Sequence, residues 1–461
     1  MKKSFNSICN KQLVINQDFI KAPDCNKLIF LNYKSGNWIE LDEIGYSMAK
    51  SISGSTIKAY LTEVAKENKT KYSYVAKIYN ESIEAMLKVG FLVVADNNGN
   101  EEKKKNKLPK ETKASFEQIW IHIIDTCNLS CPYCYFRARN VLDEGGIKNI
   151  DISLLKKFLN QIPLWKRKNI VISGGEPFLN KELVTILRLL KERLRFPSVK
   201  IITNGTVGHN IYSQVFPYIN GIQFSLDGIK KETHEKNRGA GSFEKTLMGI
   251  KKSVSLGFKN IIISFAVTED NIDDLLDFPA FAKGLGIHSV HINRIIRTGK
   301  NMNKAIGGYF DSFDKNYKVF LKKVAELKKD GYSISVSNSF EITQKIKIGG
   351  KVVSCGVGKK IISIVPNGNI YPCPSLHYDA YRIGTLNDKL NSIIKEGVCF
   401  NRQHNVESKK TDCYSCKYKY FCGGGCRAEA LAEGSINGSM DRCKNIYSDI
   451  ISGICYSEPF I

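Results

Sequence analysis

Ile119-Trp120-Ile121-His122-Ile123-Ile124-Asp125-Thr126-Cys127-Asn128-Leu129-Ser130-Cys131-Pro132-Tyr133-Cys134 is the stretch on which the reading of this chain turns. Its first half is a dense apolar run that ends at Asp125, the pattern of a strand. Three cysteines spaced C-x3-C-x2-C follow at once. Further along, strand-like runs end at Ser173, Thr203, Leu226, Val267 and Arg294, with helical periodicity over 152–161, 181–194, 243–256 and 271–285 between them. Six such βα units predict parallel strands joined by right-handed crossovers, an α/β fold in the form of a partial (β/α)6 TIM-like barrel. In barrels of this kind ligands meet the loops that follow the strand C-termini. The unusual residues sit in those loops. The cysteines follow the first strand, Gly174-Gly175-Glu176-Pro177 the second, Asn204-Gly205 the third and Asp227-Gly228 the fourth. Each loop alone reads as an ordinary turn; the fold is expected to gather all four at one mouth.

The chain has fourteen cysteines. In a reducing compartment that number points to metal or redox chemistry rather than disulfides. Cys9 and Cys25 stand alone, Cys127, Cys131 and Cys134 form one group, and the rest fall between Cys355 and Cys455. Three thiolates at the first spacing can ligate three irons of a cubane cluster and leave the fourth iron open to a substrate. A zinc site would need a fourth ligand, and the one nearby candidate, His122, lies inside the predicted strand. The later group reads Cys355-x12-Gly368-x4-Cys373, then Cys413-x2-Cys416-x5-Cys422-x3-Cys426, then Cys443. Seven such ligands exceed one tetrahedral site, so two centres are expected, zinc or iron–sulfur by spacing alone.

The whole 461-residue chain is globular in composition, 43% hydrophobic and 25% charged. Residues 1–95 read as a small α+β domain: the runs Leu28-Ile29-Phe30-Leu31 and Trp38-Ile39-Glu40-Leu41 flank a turn, and helical periodicity follows. A helix over 72–89 places Val75, Ile78, Ile83 and Leu87 on one face, Gly90 stops it, and Phe91-Leu92-Val93-Val94 makes a strand. The charged stretch 96–114 is expected to be a linker, 115–335 the barrel, and 336–461 a cysteine-rich domain. The net charge of +23 is spread along the whole chain, which favours an acidic peptide or protein partner over nucleic acid. No apolar run is long enough to span a bilayer and no secretory signal opens the chain. A cytoplasmic protein with neither nucleic acid nor membrane as partner is the expectation.

The barrel segment resembles the radical SAM superfamily, enzymes that cleave S-adenosylmethionine (SAM) at a [4Fe–4S] cluster. The residues that carry the likeness are the cysteine stretch, Gly174-Gly175-Glu176-Pro177, Thr203-Asn204-Gly205, Ser225-Leu226-Asp227-Gly228, His234 and Arg238-Gly239. The resemblance implies that Cys127, Cys131 and Cys134 hold the cluster and that Gly174, Gly175 and Glu176 receive the SAM ammonium. It further implies that Ser225 and Arg238 hold the SAM carboxylate, that Asn204 touches SAM, and that Tyr133 packs near the adenine. A 5′-deoxyadenosyl radical then abstracts hydrogen from an unactivated C–H bond. The C-terminal cysteines are similar to the SPASM extension of peptide-modifying members, which carries two auxiliary [4Fe–4S] clusters. By position, one takes Cys413, Cys416, Cys422 and Cys443 and the other Cys355, Cys373 and Cys426. Ile361 stands where some members have a further cysteine, so Cys399 or Cys455 completes the second cluster, or its iron stays open. Residues 1–95 resemble the winged-helix-like recognition element that pairs the leader of a ribosomally made peptide (RiPP) onto a sheet edge.

These likenesses imply a maturase of a ribosomally made precursor peptide that forms an intramolecular thioether or C–C cross-link, with flavodoxin or ferredoxin as reductant. The alternative is a sulfatase-type maturase oxidising a protein Cys or Ser to formylglycine. A non-catalytic iron–sulfur carrier would have no use for a SAM pocket. No residue stands out as a general base.

Overall fold

A computed structural model describes residues 8–22, 28–95, 116–136, 138–140, 147–268, 270–295, 298, 333–336, 351–440 and 443. Cys25, Cys455 and residues 96–114, expected to be a linker, lie outside the described residues.

Residues 8–95 fold around a core of their own. β1 (Leu13–Ile15) pairs antiparallel with β5 (Leu92–Val94), and β2 (Phe19–Lys21), β3 (Leu28–Asn32) and β4 (Trp38–Leu41) form an antiparallel sheet in that order. Three helices lie between: α1 (Glu43–Ile52), α2 (Ile57–Glu67) and α3 (Tyr72–Val89). Asp42 and Thr56 cap the first two, their side chains accepting from Gly45 N and Ala59 N. α3 stops at Gly90, whose φ of 78° is the left-handed conformation that ends helices. Leu13, Phe30, Met48, Ile52, Leu61, Ile83, Met86 and Phe91 make the core. Ile78, expected on the buried face of α3, is 54% exposed. The buried stripe passes instead through Tyr79 and Met86.

Alternation along the strands gives the central sheet two chemically different faces. β6 (Gln118–His122), β9 (Asn169–Ser173), β10 (Ser198–Thr203), β11 (Gly221–Ser225), β12 (Ile261–Val267), β13 (Ser289–Arg294) and β14 (Ser333–Val336) are parallel neighbours in that order. A short pair, β7 (Thr126–Cys127) and β8 (Arg139–Asn140), stands at the mouth. Register aligns Ile121, Ile172, Ile201, Ile222 and Ile261 on one face. That face is buried with Leu155 and Phe158 of α4 (Ile152–Asn160), Leu187 of α5 (Leu183–Arg188), Tyr212 of α6 (Tyr212–Val215) and Ile250 of a later helix, Ser242–Ser255. The concave face carries Trp120, His122, Ser173, Gln223, Ser225, Ser264 and Asn293. α7 (Lys231–Arg238) and α8 (Ser242–Ser255) follow β11, and α9 (Phe278–Gly284) follows β12.

Five of the six expected strand ends fall at or within a residue of the observed ones; the first strand stops at His122, three residues before Asp125. The helix expected over 181–194 changes at Leu189 into a π turn that buries Leu189 and Leu190. The helix expected over 271–285 is split into a 3-10 turn, Ile272–Leu275, and the separate α9, which carries Pro279 in its first turn. The sheet also continues past β6. β15 (Ile361–Ile364) pairs parallel with β6, and β16 (Asn369–Tyr371) and β17 (Gly384–Thr385) add antiparallel beyond it. The barrel is therefore open, and Ile362, Ile364, Leu386, Ile393 and Ile436 share its core. The C-terminal segment adds α10 (Leu390–His404), α11 (Lys419–Cys422) and α12 (Arg427–Ala432).

Candidate active site

The loop after β6 is anchored by the loop after β9. Gly175 N donates to the Ile124 carbonyl (2.8 Å) and Glu176 N to that of Thr126 (2.9 Å). The approach is so close that a Cβ on Gly175 would fall 1.9 Å from the Thr126 carbonyl oxygen. Gly174 needs its own freedom, at φ +144°. The Glu176 carboxylate is 1% exposed. It accepts from Phe178 N (3.1 Å), Thr203 Oγ1 (2.7 Å) and Asn204 N (2.8 Å), which ties the second loop to the third. Burial pushes its pKa up to about 7 against those hydrogen bonds.

Asn204 then turns towards the cysteines. Its Nδ2 donates to Asn128 Oδ1 (3.0 Å) and reaches Cys127 Sγ (3.6 Å), while Leu129 N reaches the same sulfur at 3.4 Å. Cys127 is pushed up to about 12 by burial, then by Glu176 and by the neighbouring Cys131 and Cys134. Cys131 is likewise raised by burial, with Arg238 opposing. Among the described residues no three His, Cys, Asp or Glu side chains meet on a single ion's position. The fit to a cubane rests on the donor chemistry: three adjoining soft thiols on one loop, with N–H groups aimed at a ligand sulfur.

Asp227 is the hub of the opposite side. It is 0% exposed. Its Oδ2 accepts from Tyr133 Oη and Arg238 Nε, and its Oδ1 from Ala266 N (2.7 Å). Its own N–H donates to His234 Nδ1 (3.1 Å). Burial works against the Arg238 charge, but Asp227 outweighs it and holds the guanidinium well above its ordinary value. Tyr133 rises through burial. Burial also drives His234 down to about 4. Arg238 lies over the Tyr133 ring, 5.8 Å from its centre. Ser225 ends β11 on the concave face beside this cluster.

The C-terminal cysteines fall into two neighbourhoods. Cys373 is raised well above its ordinary value by burial and then by Cys426 and Cys355. Cys413 is raised by burial, with Cys443 and Cys416 beside it and Arg427 opposing. Between Cys422 and Cys426, Gly423, Gly424 and Gly425 all have positive φ (65°, 81° and 62°), a run of left-handed conformations that glycine adopts without strain. Cys399 lies exposed on α10.

Residues 121–282 match the Radical SAM superfamily. This chain carries a radical SAM domain. It is 27% identical over 334 residues to the AdoMet-dependent heme synthase of Methanosarcina barkeri, covering 66% of this chain and 89% of that protein. It is 27% identical over 177 residues to a probable GTP 3′,8-cyclase of Saccharolobus islandicus, of whose length it spans only 56%. Native anSMEcpe with bound AdoMet superposes with a TM-score of 0.57 at 20% identity, over 73% of this chain and 96% of that one. Streptococcus suis SuiB bound to precursor peptide SuiA superposes with a TM-score of 0.55 at 17% identity, over 93% and 99%. The likenesses to solved structures are of fold.

Within the radical SAM domain, the structure brings Cys127, Cys131, Cys134, Tyr133, Gly174, Gly175, Glu176, Asn204, Ser225 and Arg238 to the one mouth. Both oxygens of Glu176 are engaged by protein donors, so its carboxylate positions the Asn204 loop. Sequence reasoning took Asp227 for a turn residue and missed it as a hub; the Arg238 eleven residues on was the available signal. It also missed a chain behind the cysteine loop. His122 is fully buried, its pKa driven down to about 3. Its nitrogens meet Tyr135 Oη (3.2 Å) and Ser363 Oγ (3.2 Å), and His377 Nε2 meets the same Ser363 Oγ (2.9 Å).

Proposed function

We propose that this chain is a radical SAM maturase of a ribosomally made peptide, forming an intramolecular thioether or C–C cross-link in the precursor core. The supporting observation is the reach of the SuiB superposition: 93% of this chain, N-terminal unit and cysteine-rich end included, on an enzyme solved with its precursor peptide. A [4Fe–4S] cluster with SAM supplies a 5′-deoxyadenosyl radical when bound. The chain's own residues place that chemistry. Cys127, Cys131 and Cys134 hold the cluster, with Asn204 and Leu129 donating to the Cys127 sulfur. The backbone of Gly174 and Gly175 receives the SAM ammonium, and Glu176 fixes that loop. Arg238, with Ser225, takes the SAM carboxylate while Asp227 and Tyr133 hold the guanidinium in place. Tyr133 presents its ring to the adenine.

In this reading, residues 1–95 bind the leader, residues 96–114 link, and residues 336–461 carry two auxiliary [4Fe–4S] centres on the two cysteine neighbourhoods. Among the described residues β4 is an edge of its three-stranded sheet, next to α3, the kind of element on which an extended leader would add a strand. Flavodoxin or ferredoxin serves as reductant. Co-expression with a candidate precursor peptide tests the whole. The reading expects reductant-dependent 5′-deoxyadenosine and a core peptide lighter by two hydrogens, with the link located by fragmentation. The fold likeness to anSMEcpe over 96% of that chain supports the second reading, formylglycine formation. That outcome would leave an aldehyde and, from cysteine, a loss of sulfur. No 5′-deoxyadenosine at all would sink both.

A further inference from the structure

A buried cation with no carboxylate partner among the described residues stands between the two C-terminal cysteine groups. Arg427 directly follows Cys426 at the start of α12 and is 4% exposed. Its Nη1 donates to the carbonyls of Ile436 (3.1 Å) and Gly438 (3.3 Å). Its Nη2 donates to the Gly424 carbonyl and reaches Cys413 Sγ at 3.9 Å. Nε is buried and has no hydrogen-bond partner. Among the described residues no ion pair includes Arg427.

Removing a guanidinium from water without a counter-charge is strongly unfavourable. Three carbonyl dipoles solvate the ion but supply no net negative charge. Among the described residues the sulfur of Cys413 is the anion-forming group that its N–H groups reach, and Cys416 and Cys443 adjoin it. Four cysteine thiolates outweigh the positive charge of the metal or iron–sulfur core they hold, so such a centre is net anionic.

We propose that Arg427 is the built-in counter-charge of an anionic thiolate centre on Cys413, Cys416, Cys422 and Cys443, and that it raises the reduction potential of that centre. This rests on the reading that those cysteines hold an iron–sulfur cluster. Reduction adds an electron to the centre, and a fixed positive charge with an N–H aimed at a ligand sulfur stabilises the reduced form more than the oxidised one. Arg427 is thus a positioning and tuning residue, acting through Cys413.

Potentiometric titration of the reconstituted full-length protein, followed by EPR, tests it with Arg427→Gln and Arg427→Lys. Gln removes the charge; Lys keeps the charge but loses the planar fork that spans the three carbonyls. The expected result is that one auxiliary signal moves to a more negative potential in Arg427→Gln, that Lys restores most of the shift, and that the SAM-cleaving centre is unmoved. If Gln also loses that centre's iron while Lys retains it, the charge is again the cause. Full iron with unchanged potential in Arg427→Gln overturns the assignment, as do equal losses in Gln and Lys, which would make the fork purely structural. A wild-type protein with a SAM-cleaving centre but no auxiliary redox signal would instead overturn the cluster reading beneath it.

Discussion

Asp227 has the most to lose from a single change. Its carboxylate is the shared acceptor of Tyr133 and Arg238, and it has no exposure to water that could replace them. Asp227→Asn keeps the shape and removes the charge, leaving a guanidinium whose side chain is only 14% exposed without its partner. Breaking one half of such a pair costs about 3–5 kcal/mol. Urea unfolding should show that loss, and SAM binding should weaken with it. Wild-type stability with wild-type SAM affinity would remove Asp227 from its central place. The neighbouring His234 gives a pH signature. Its pKa, ordinarily 6.5, is held near 4 by burial, so the unfolded chain binds the extra proton first. Stability from this group is complete above pH 6.5 and is lost as the pH falls towards 4, by up to about 3 kcal/mol from 1.36 kcal/mol per unit. Urea midpoints measured across that window should fall with acid, and His234→Asn should flatten the slope. The sequence marked both residues as part of the superfamily pattern but gave neither of them this role, because Asp227-Gly228 taken locally has the look of any turn. The cysteine loop was legible, because its chemistry is written in consecutive residues.

Among the elements, the loops that follow the strands carry the chemistry, and their geometry is set by glycine where two backbones touch. Gly175 has no room for a methyl group against the Thr126 carbonyl. Gly175→Ala must push β7, and Cys127 with it, away from the Asn204 amide. Iron analysis should show loss of the SAM-cleaving centre, and any iron held by the C-terminal cysteines, as proposed above, should be unaffected; full iron with retained 5′-deoxyadenosine formation would show that the contact yields. The strands themselves were readable because runs such as Ile261–Val267 are apolar and end in turn residues. β14 and β15 were not. Ser333–Val336 alternates over only four residues, and β15 is recognisable as a barrel neighbour only through its partner β6, more than 230 residues earlier. No local pattern encodes such a pairing. The α3 stripe fails for a related reason: an aromatic at Tyr79 competes with Ile78 for the core, and tertiary packing decides.

At the scale of the whole molecule, the N-terminal unit has its own core, whereas the C-terminal segment is stitched into the barrel sheet through β15. The two outer parts nevertheless meet. Tyr33, at the tip of the β3–β4 turn, packs edge-on against Tyr418 (5.3 Å between ring centres) and Phe421 (5.9 Å). Those rings lie in the stretch between Cys416 and Cys422, and the Lys417 ammonium stands 5.8 Å from the Tyr33 ring. The turn is stiff, since Asn32 Oδ1 accepts from both Lys34 N and Ser35 N. If the unit is the leader-binding module, its removal should separate binding from chemistry. Deleting 1–95 should leave SAM cleavage in place and weaken precursor binding by about 100-fold, roughly 3 kcal/mol. Tyr33→Ala should act differently. The unit keeps its own core and binds the leader normally, but its turn no longer sits on the cysteine segment. Turnover of the full precursor should then fall while leader affinity measured by fluorescence anisotropy stays constant. Loss of leader affinity in Tyr33→Ala would place the leader at that turn instead of along β4. Unchanged turnover in both variants would make residues 1–95 a spacer.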